Sequence, residues 1–493
     1  MALFDDNYVL TDEQFCEGLQ KQEMLHNPKK SGIVFKCDDE YMYTDVSDKH
    51  TLLFGSTGSK KTRNFCIPSV FAIGSAGESM IISDPKGEIY LRTSGYLSSL
   101  DYNVRVINFR NPCSSECWNP LIVPYRCYKS GNADKALEMV ADLTSQIKGR
   151  IHSEKDNYWE ESATSLLFSI IIMLFEIARS EKEVNFASIT KIRGYISSSD
   201  DKEKDIFWDL VEQFKDNIFV KGRINSILSI KNTDKTLGCV LSTFDTMLQD
   251  VLINRERLSM LSHMTFEYDE IFTKKTVIYL ILPDEKTTFH FLASIFIKQL
   301  YEYLIDRSYF LGGEMPIRVN YILDEFSNLP YIKDMPAMIS AARSRNIRFF
   351  IIVQSAAQLE CRYKEEAKTI KSNCANWIFL PSREMELLRE ISELCGQVYV
   401  DDRGYRPLFS ISSLQCLKVG YEDSQALVLR NNMRPYVTWI KDFSLYPQAK
   451  FQPLDLKSNS FGDMEIVSVA QFMVKKLEND SAITPEISRF QFE

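Results

Sequence analysis

The chain has no apolar run long enough to cross a bilayer. Its longest such stretch, LLFSIIIMLFEIA from Leu166 to Ala178, carries Glu176 and falls short of the roughly 20 residues a spanning helix needs. It reads as a buried core helix. The N-terminal MALFDDNYVLTDEQF lacks a basic region followed by an apolar core, so no secretory leader is expected. Positive charge is not in excess either: 58 Lys and Arg stand against 67 Asp and Glu, for a net charge of -9. A pI near 5.4 excludes a global basic field and leaves room only for a local basic groove. The 11 cysteines are odd in number and scattered, which fits a reducing cytosol better than a disulfide framework. Cys113 and Cys117 are the closest pair, and without a second pair or a nearby histidine they make a poor zinc site. The 5 histidines have no metal spacing, and His290, on an apolar helix, reads as core. There is no G-x-S-x-G nucleophile motif, no internal repeat and no low-complexity tract.

What remains is an ordinary globular composition, 45% hydrophobic and 25% charged, spread over enough chain for two or three domains. Residues 1–45 are polar and mixed, with short alternating strands at KSGIVFK and EYMYTDV. A buried strand, Thr51 to Phe54, then runs into GSTGSKKT. The helical pattern after it meets Pro68, expected to end or kink the helix. Strands at MIIS (from Met80) and VRVIN (around Arg105) follow, separated by a helix through Tyr90 to Leu100. Such alternation predicts a parallel sheet with crossover helices. From 152 to 267 the pattern is helical throughout. Strands resume at TVIYLILP (Thr276 to Pro283), RVNYIL (Arg318 to Leu323), RFFIIV (Arg348 to Val353), WIFL (Trp377 to Leu380) and ALVL (Ala426 to Leu429). Their continuous apolar character suits a sheet buried on both faces. The expected plan is an α/β domain formed by 46–151 and 268–450, an all-α insertion at 152–267, and a polar tail at 451–493 with one candidate helix, MEIVSVAQFMVKKLE.

GSTGSKKT comprises Gly55, Ser56, Thr57, Gly58, Ser59, Lys60, Lys61 and Thr62. It matches the phosphate-binding pattern G-x-x-x-x-G-K-[ST] except that Lys60 stands where glycine is wanted. A turn between strand and helix lets backbone N–H groups face one anion, aided by the helix dipole. Lys61 would lie over the β- and γ-phosphates of ATP, and Thr62 would hold Mg²⁺. The motif alone proves little. RVNYILDEF adds Asp324 and Glu325 at the end of an apolar strand, the first acid suited to Mg²⁺ and the second to polarising an attacking water. The alternative, an acidic pair capping the next helix, weakens once a lysine-bearing loop lies upstream. Gln354 ends a strand in IIVQS, placed to sense a γ-phosphate. AARSRNIR carries Arg343, Arg345 and Arg348, any of which is as compatible with a solvated basic face as with a charge-neutralising finger acting across a subunit boundary. The loop after Phe54 and the acids after Leu323 are expected at neighbouring strand tips, sharing one magnesium–triphosphate.

The order GSTGSKKTR, MIISDPKGEIYLRTSGYL, VRVINFRNP with WNPL, YWEESATSLL, ILDEFSNLP, ARSRNIRFFIIVQSAAQL and KSNCANWIFL resembles the type IV secretion coupling proteins of the TraG/TraD group. The resemblance covers about residues 45–450. It implies a RecA-like P-loop NTPase domain with a mostly parallel sheet, an inserted all-α domain, and a homo-hexameric ATPase. Such a ring couples DNA, single- or double-stranded, and its relaxase, or a protein substrate, to the membrane components of a type IV secretion channel during conjugation. It assigns the phosphate-loop roles to Lys61 and Thr62, the acids to Asp324 and Glu325, the sensor to Gln354 and the finger to Arg343, with Arg345 as fallback. Many relatives carry N-terminal membrane helices and none is read in this sequence, so this chain is expected in the cytoplasm, recruited to the inner face of the membrane by partners. Lys60 replaces the family's glycine, and its β-carbon is expected to hinder close phosphate approach. Nucleotide binding is therefore expected to survive better than fast hydrolysis. Two other readings stand beside this one: a nucleotide-binding receptor or scaffold with weak ATPase activity, and a chromosome translocase of the FtsK/HerA type. The DPKGE and QS blocks favour coupling proteins over the last.

Overall fold

The computed structural model of the chain describes residues 9–149, 157–214, 216–217, 221–400, 404–456, 458 and 464–473. Close contacts divide it into two units, 1–111 with 267–457, and 112–266 with 458–493. In the first unit, β1 (Gln20–Glu23), β2 (Ile33–Cys37) and β3 (Tyr41–Asp45) form a three-stranded sheet in the order β1-β3-β2, antiparallel throughout. The central sheet is built from β4 (Thr51–Phe54), β5 (Ser79–Asp84), β6 (Asn103–Asn108), β7 (Thr276–Ile281), β8 (Val319–Leu323), β9 (Ile347–Val353) and β10 (Asn376–Phe379). A hairpin of β11 (Gln397–Val400) and β12 (Gly404–Pro407) stands by itself, and β13 (Asp423–Arg430) and β14 (Tyr436–Lys441) complete the large sheet.

The nine-stranded order is β14-β13-β10-β4-β9-β8-β5-β7-β6. The seven strands from β10 to β6 are mutually parallel. Their buried, unbroken apolar faces follow from helices on both sides. ALVL, read in the sequence with the parallel strands, instead lies in β13, antiparallel to β10. It enters after the hairpin and returns directly through β14, so no crossover helix is needed.

Register decides where chemistry can occur. Phe54 lies opposite Val353 on one side and Phe379 on the other, and Leu323 lies opposite Ile351. The C-terminal ends of β10, β4, β9 and β8 therefore form one rim. The phosphate-type loop and the acidic pair do not leave neighbouring strands, as the sequence suggested: β9 lies between them. Pro68 does not end its helix. Residues Thr62–Cys66 form a wide π turn, in which the Ile67 N–H reaches back to the Thr62 carbonyl. The regular helix Ile67–Ser75 starts after it, with Pro68 in the first turn, where a missing N–H leaves nothing unsatisfied.

The second unit is helical: Ile122–Lys129, Ala133–Lys148, Asn157–Ile177, Phe186–Ile196, Asp201–Phe214, Lys221–Ile230, Asp234–Leu252 and Arg255–Met260. All of LLFSIIIMLFEIA but Ala178 lies in Asn157–Ile177, and Leu167, Ile170, Ile171 and Leu174 there are fully buried. Among the described residues no helix is long and apolar enough to cross a membrane. The unit begins at Pro112, ahead of the boundary read at 152, which lies outside the described residues. The reason is WNPL: Trp118 N–H donates to the Met260 carbonyl at 2.9 Å, and the Asn119 amide to Val184 and Ser262 carbonyls at 2.6 and 3.0 Å. Part of the expected tail returns to the same unit. Val467 N–H donates to Ser188 Oγ at 3.0 Å, and residues 469–473 are helical. Of the helix read at MEIVSVAQFMVKKLE, residues 464–468 are not helical, and 474–478 lie outside the described residues.

Candidate functional site

The loop Gly55–Thr62 leaves β4 with its backbone tied to β9, since Gly55 N–H donates to the Val353 carbonyl at 3.2 Å. Gly55 has no room for a side chain: a β-carbon there would lie 2.5 Å from Ser59 Oγ and 3.0 Å from Leu380 and Lys61 side-chain atoms. Gly58 takes φ +83. Lys60 takes φ 64, the left-handed angle that glycine adopts freely and lysine at a cost of roughly 1–3 kcal/mol. The β-carbon thus strains the loop without changing its course, and the Lys60 carbonyl accepts from Asn64 N–H at 2.8 Å to start the helix. Ser59 Oγ is buried with no hydrogen-bond partner among the described residues. An orphaned hydroxyl inside a glycine-framed turn fits an oxyanion acceptor that the folded chain alone does not supply.

Asp324 and Glu325 approach this loop across β9. Thr62 Oγ1 donates to Asp324 Oδ2 at 2.7 Å, although the two residues are 262 apart in sequence. Glu325 N–H holds the other oxygen, Oδ1, at 3.0 Å, and Ser83 Oγ donates to the Asp324 carbonyl at 2.8 Å. Burial pushes the Asp324 carboxyl up to about 6, against the opposing hydrogen bond from Thr62. Glu325 sits at φ 51, a strained turn at the strand end. Gln354 Nε2 donates to Glu325 Oε1 at 2.8 Å and Asn328 Nδ2 to Oε2 at 2.7 Å, so both carboxylate oxygens are aimed. Thr57 Oγ1 donates in turn to Gln354 Oε1 at 3.2 Å, closing a circuit from the Gly55–Thr62 loop through Gln354 to Glu325. Lys61 lies 6% exposed with Nζ on the Ser56 carbonyl at 3.3 Å. Burial lowers its pKa, and the Asp324 and Glu325 carboxylates oppose the shift.

Lys61, Thr62, Asp324, Glu325 and Gln354 are therefore brought together. Arg343 is not. Its guanidinium pairs with Asp48 through two 3.1 Å bonds, at the end of the sheet where β4 and β9 begin. The seven residues of β9 separate it from the rim by about 20 Å. Arg345 turns back to the Ala341 carbonyl at 2.7 Å. Arg348 is a core residue, bonded to Glu78 at 3.1 Å and Asn320 at 2.8 Å. Two further features escaped the sequence reading. Asp84, in DPKGE at the end of β5, is buried and pushed up to about 7 chiefly by that burial, while accepting from Tyr90 N–H at 2.8 Å. Its signal was present, an acid ending an apolar strand like Asp324. Arg63 grips Asp442 with bonds of 2.8 and 2.7 Å, a pairing 379 residues apart that no local pattern announces.

A family model described as Type IV secretory system, Conjugative DNA transfer matches residues 15–413. The conjugal transfer protein TraG of Escherichia coli is 24% identical over 388 residues, covering 74% of this chain and 57% of that one. A probable conjugal transfer protein TraG of Sinorhizobium fredii is 22% identical over 362 residues, covering 71% and 53%. The chain thus spans little more than half the length of these curated relatives. Among solved structures it is similar to the bacterial conjugative coupling protein TrwBdeltaN70 in complex with sulphate, with TM-score 0.61, 14% identity, and 94% and 96% of the two chains covered. The TrwB complex with ADP and Mg²⁺ gives TM-score 0.56 at 15% identity, over 86% and 88%. At these identities the likeness establishes the fold alone, a RecA-like α/β fold with a mostly parallel sheet. By the extent of the family match, the chain belongs to the type IV secretory system conjugative DNA transfer family.

Proposed function

We propose that the chain is an ATP-driven coupling protein that delivers DNA with its relaxase, or a protein substrate, to a type IV secretion channel. The observation that carries this reading is the 2.7 Å bond between Thr62 and Asp324, continued by the Gln354–Glu325 bond. It joins three dispersed motifs into one centre at the sheet rim. Family membership supports the substrate class, and the TrwB complex with ADP and Mg²⁺ supports the ligand. In this reading Gly55–Thr62 cradles the phosphates and Lys61 neutralises them, while Thr62 and Asp324 hold Mg²⁺. The ion would supply charge neutralisation at the β- and γ-oxygens. Glu325, with both oxygens already oriented, takes the proton from the attacking water, and Gln354 positions that water. Arg343 acts on a neighbouring subunit's site in a homo-hexameric ring, because its own chain holds it at the far end of the strands. Partners place the ring at the inner face of the membrane.

The strained Lys60 favours a second reading, a nucleotide-binding receptor with weak hydrolysis. Phosphate release from ATP, with Mg²⁺ and with or without DNA, tests both. The motor reading expects DNA-stimulated turnover by the native chain and its loss in Lys61→Ala. If the native chain is nearly inactive and Lys60→Gly raises its rate more than about tenfold, the receptor reading replaces it.

A further inference from the structure

Lys60 and Arg63 flank the two residues assigned to phosphate and metal, but their side chains turn to the other side of the loop. Lys60 Nζ donates to the Tyr421 carbonyl at 2.7 Å and lies 3.5 Å from Asp442 Oδ2. It also lies 5.4 Å from the centre of the Tyr421 ring. The Asp442 carboxylate is 2% exposed and already gripped by Arg63. Arg63 in turn packs its guanidinium 4.5 Å from the Phe443 ring. The Tyr421 ring, by contrast, is 90% exposed. It stands at the tip of a tight turn closed by Gly420 N–H on the Asp423 carbonyl at 2.8 Å and by pairing of Val419 with Ser424. Nothing in folding asks for a large aromatic in water at that position.

Topology gives the site two ends. Glu325 and Gln354, which face the terminal phosphate, follow β8 and β9 on one side of β4. Tyr421 and Asp442 flank β13 and β14, which lie beyond β10 on the other side. A nucleotide whose γ-phosphate meets Glu325 extends its nucleoside away from β9, across Lys60 and Arg63. There it meets an exposed aromatic ring held by the loop that binds its phosphates.

We propose that Tyr421 is the stacking platform for the nucleotide base, and that Lys60 is the positioning residue that tethers it to the phosphate loop. This rests on the reading of Gly55–Thr62 as a nucleotide site. It also gives the lysine a reason to occupy a left-handed position: its side chain does something glycine has no means to do. Stacking uses the π face common to all bases, so the ligand class is a nucleoside triphosphate, distinguished from its bare phosphates.

Calorimetric binding of ATP and of inorganic tripolyphosphate, each with Mg²⁺, separates the possibilities. Tyr421→Ala is expected to weaken ATP about 10- to 100-fold, as loss of one stacked base does, and to leave tripolyphosphate within about twofold. Tyr421→Phe restores ATP. Lys60→Gly weakens ATP more than tripolyphosphate, and Lys60→Arg, which keeps a cation on the Tyr421 carbonyl, recovers the difference. If Tyr421→Ala affects neither ligand, or both equally, the platform is wrong while the phosphate site stands. If the native chain binds neither ligand, the nucleotide site fails and the platform with it.

Discussion

Asp324→Asn isolates the electrostatic cost of the site. The Asp324 carboxyl is raised from the ordinary 3.8 to about 6 by burial. A carboxyl that binds its proton more tightly folded than unfolded makes stability fall as pH rises between those two values, and the loss is complete above the higher one. A shift of this size corresponds to about 3 kcal/mol at neutral and alkaline pH, and to about half of that near pH 5. Asparagine carries no such penalty and keeps the shape; the bond from Thr62 to the ionised carboxylate, which it gives up, already opposes the upward shift and is included in it. The stability of the variant relative to the native chain should therefore rise by about 1.5 kcal/mol between roughly pH 5 and pH 8. In a unit of this size that is about 3 °C in melting temperature. The measurement is thermal unfolding of both chains without metal, followed across that range. Asp84 adds to the same trend, because the Asp324 charge is one of the causes that raise its carboxyl and asparagine removes it. A difference that stays flat, or that shrinks as pH rises, would falsify the claim that burial dominates Asp324. The same substitution should abolish Mg²⁺-dependent ATP turnover, so a more stable, inactive protein is the expected pair of results.

Arg343→Ala should leave ATP affinity unchanged and lower turnover by about a thousandfold. Mixing it with Glu325→Gln chains, which keep an intact Arg343, should recover part of the rate, and native-level turnover by Arg343→Ala alone would remove the finger role. Arg348→Ala should instead cost about 3 kcal/mol of stability, because it leaves the Glu78 carboxylate, only 7% exposed, with Arg318 at 3.8 Å as its remaining cationic partner. A variant that unfolds at the native denaturant midpoint would contradict the structural assignment.

Period and punctuation made most of the sheet legible. Thr51–Phe54, Val319–Leu323 and Ile347–Val353 are buried along their whole length and mostly apolar, with Thr51, Asn320 and Arg348 near their starts, and such runs bounded by polar turns read as strands in sequence. Their spatial order was not legible. That β9 lies between β4 and β8 depends on which crossover returns where, and the helical segment between the two halves carries no mark of it. Lys61, Thr62, Asp324, Glu325 and Gln354 were readable because each ends or follows an apolar strand with a chemically demanding side chain. Arg343, Arg345 and Arg348 were not separable, since three arginines in six residues differ only in where a short helix and a strand point them. Asp84 shows the converse: its position matched the pattern, and only its burial beside β8 revealed that it belongs to the same rim.

The site of the free chain is electrostatically unfinished. Burial drives Lys61 toward its neutral form and Asp324 toward its neutral form, each opposed by the other's charge. Ser59 Oγ is buried without a partner. Each is a cost the fold carries alone, and in the reading proposed above each would disappear on binding: a triphosphate would hold the Lys61 proton and accept from Ser59, and a divalent ion would hold the Asp324 carboxylate ionised. The free energy withheld from folding is thereby returned on binding, and only to a ligand that brings anion and cation together. Phosphate without metal relieves Lys61 but leaves Asp324 facing further negative charge, and metal without phosphate does the reverse. Binding of the two should accordingly be cooperative, with the metal tightening the triphosphate most above about pH 6, where Asp324 is ionised and the metal has no proton to displace.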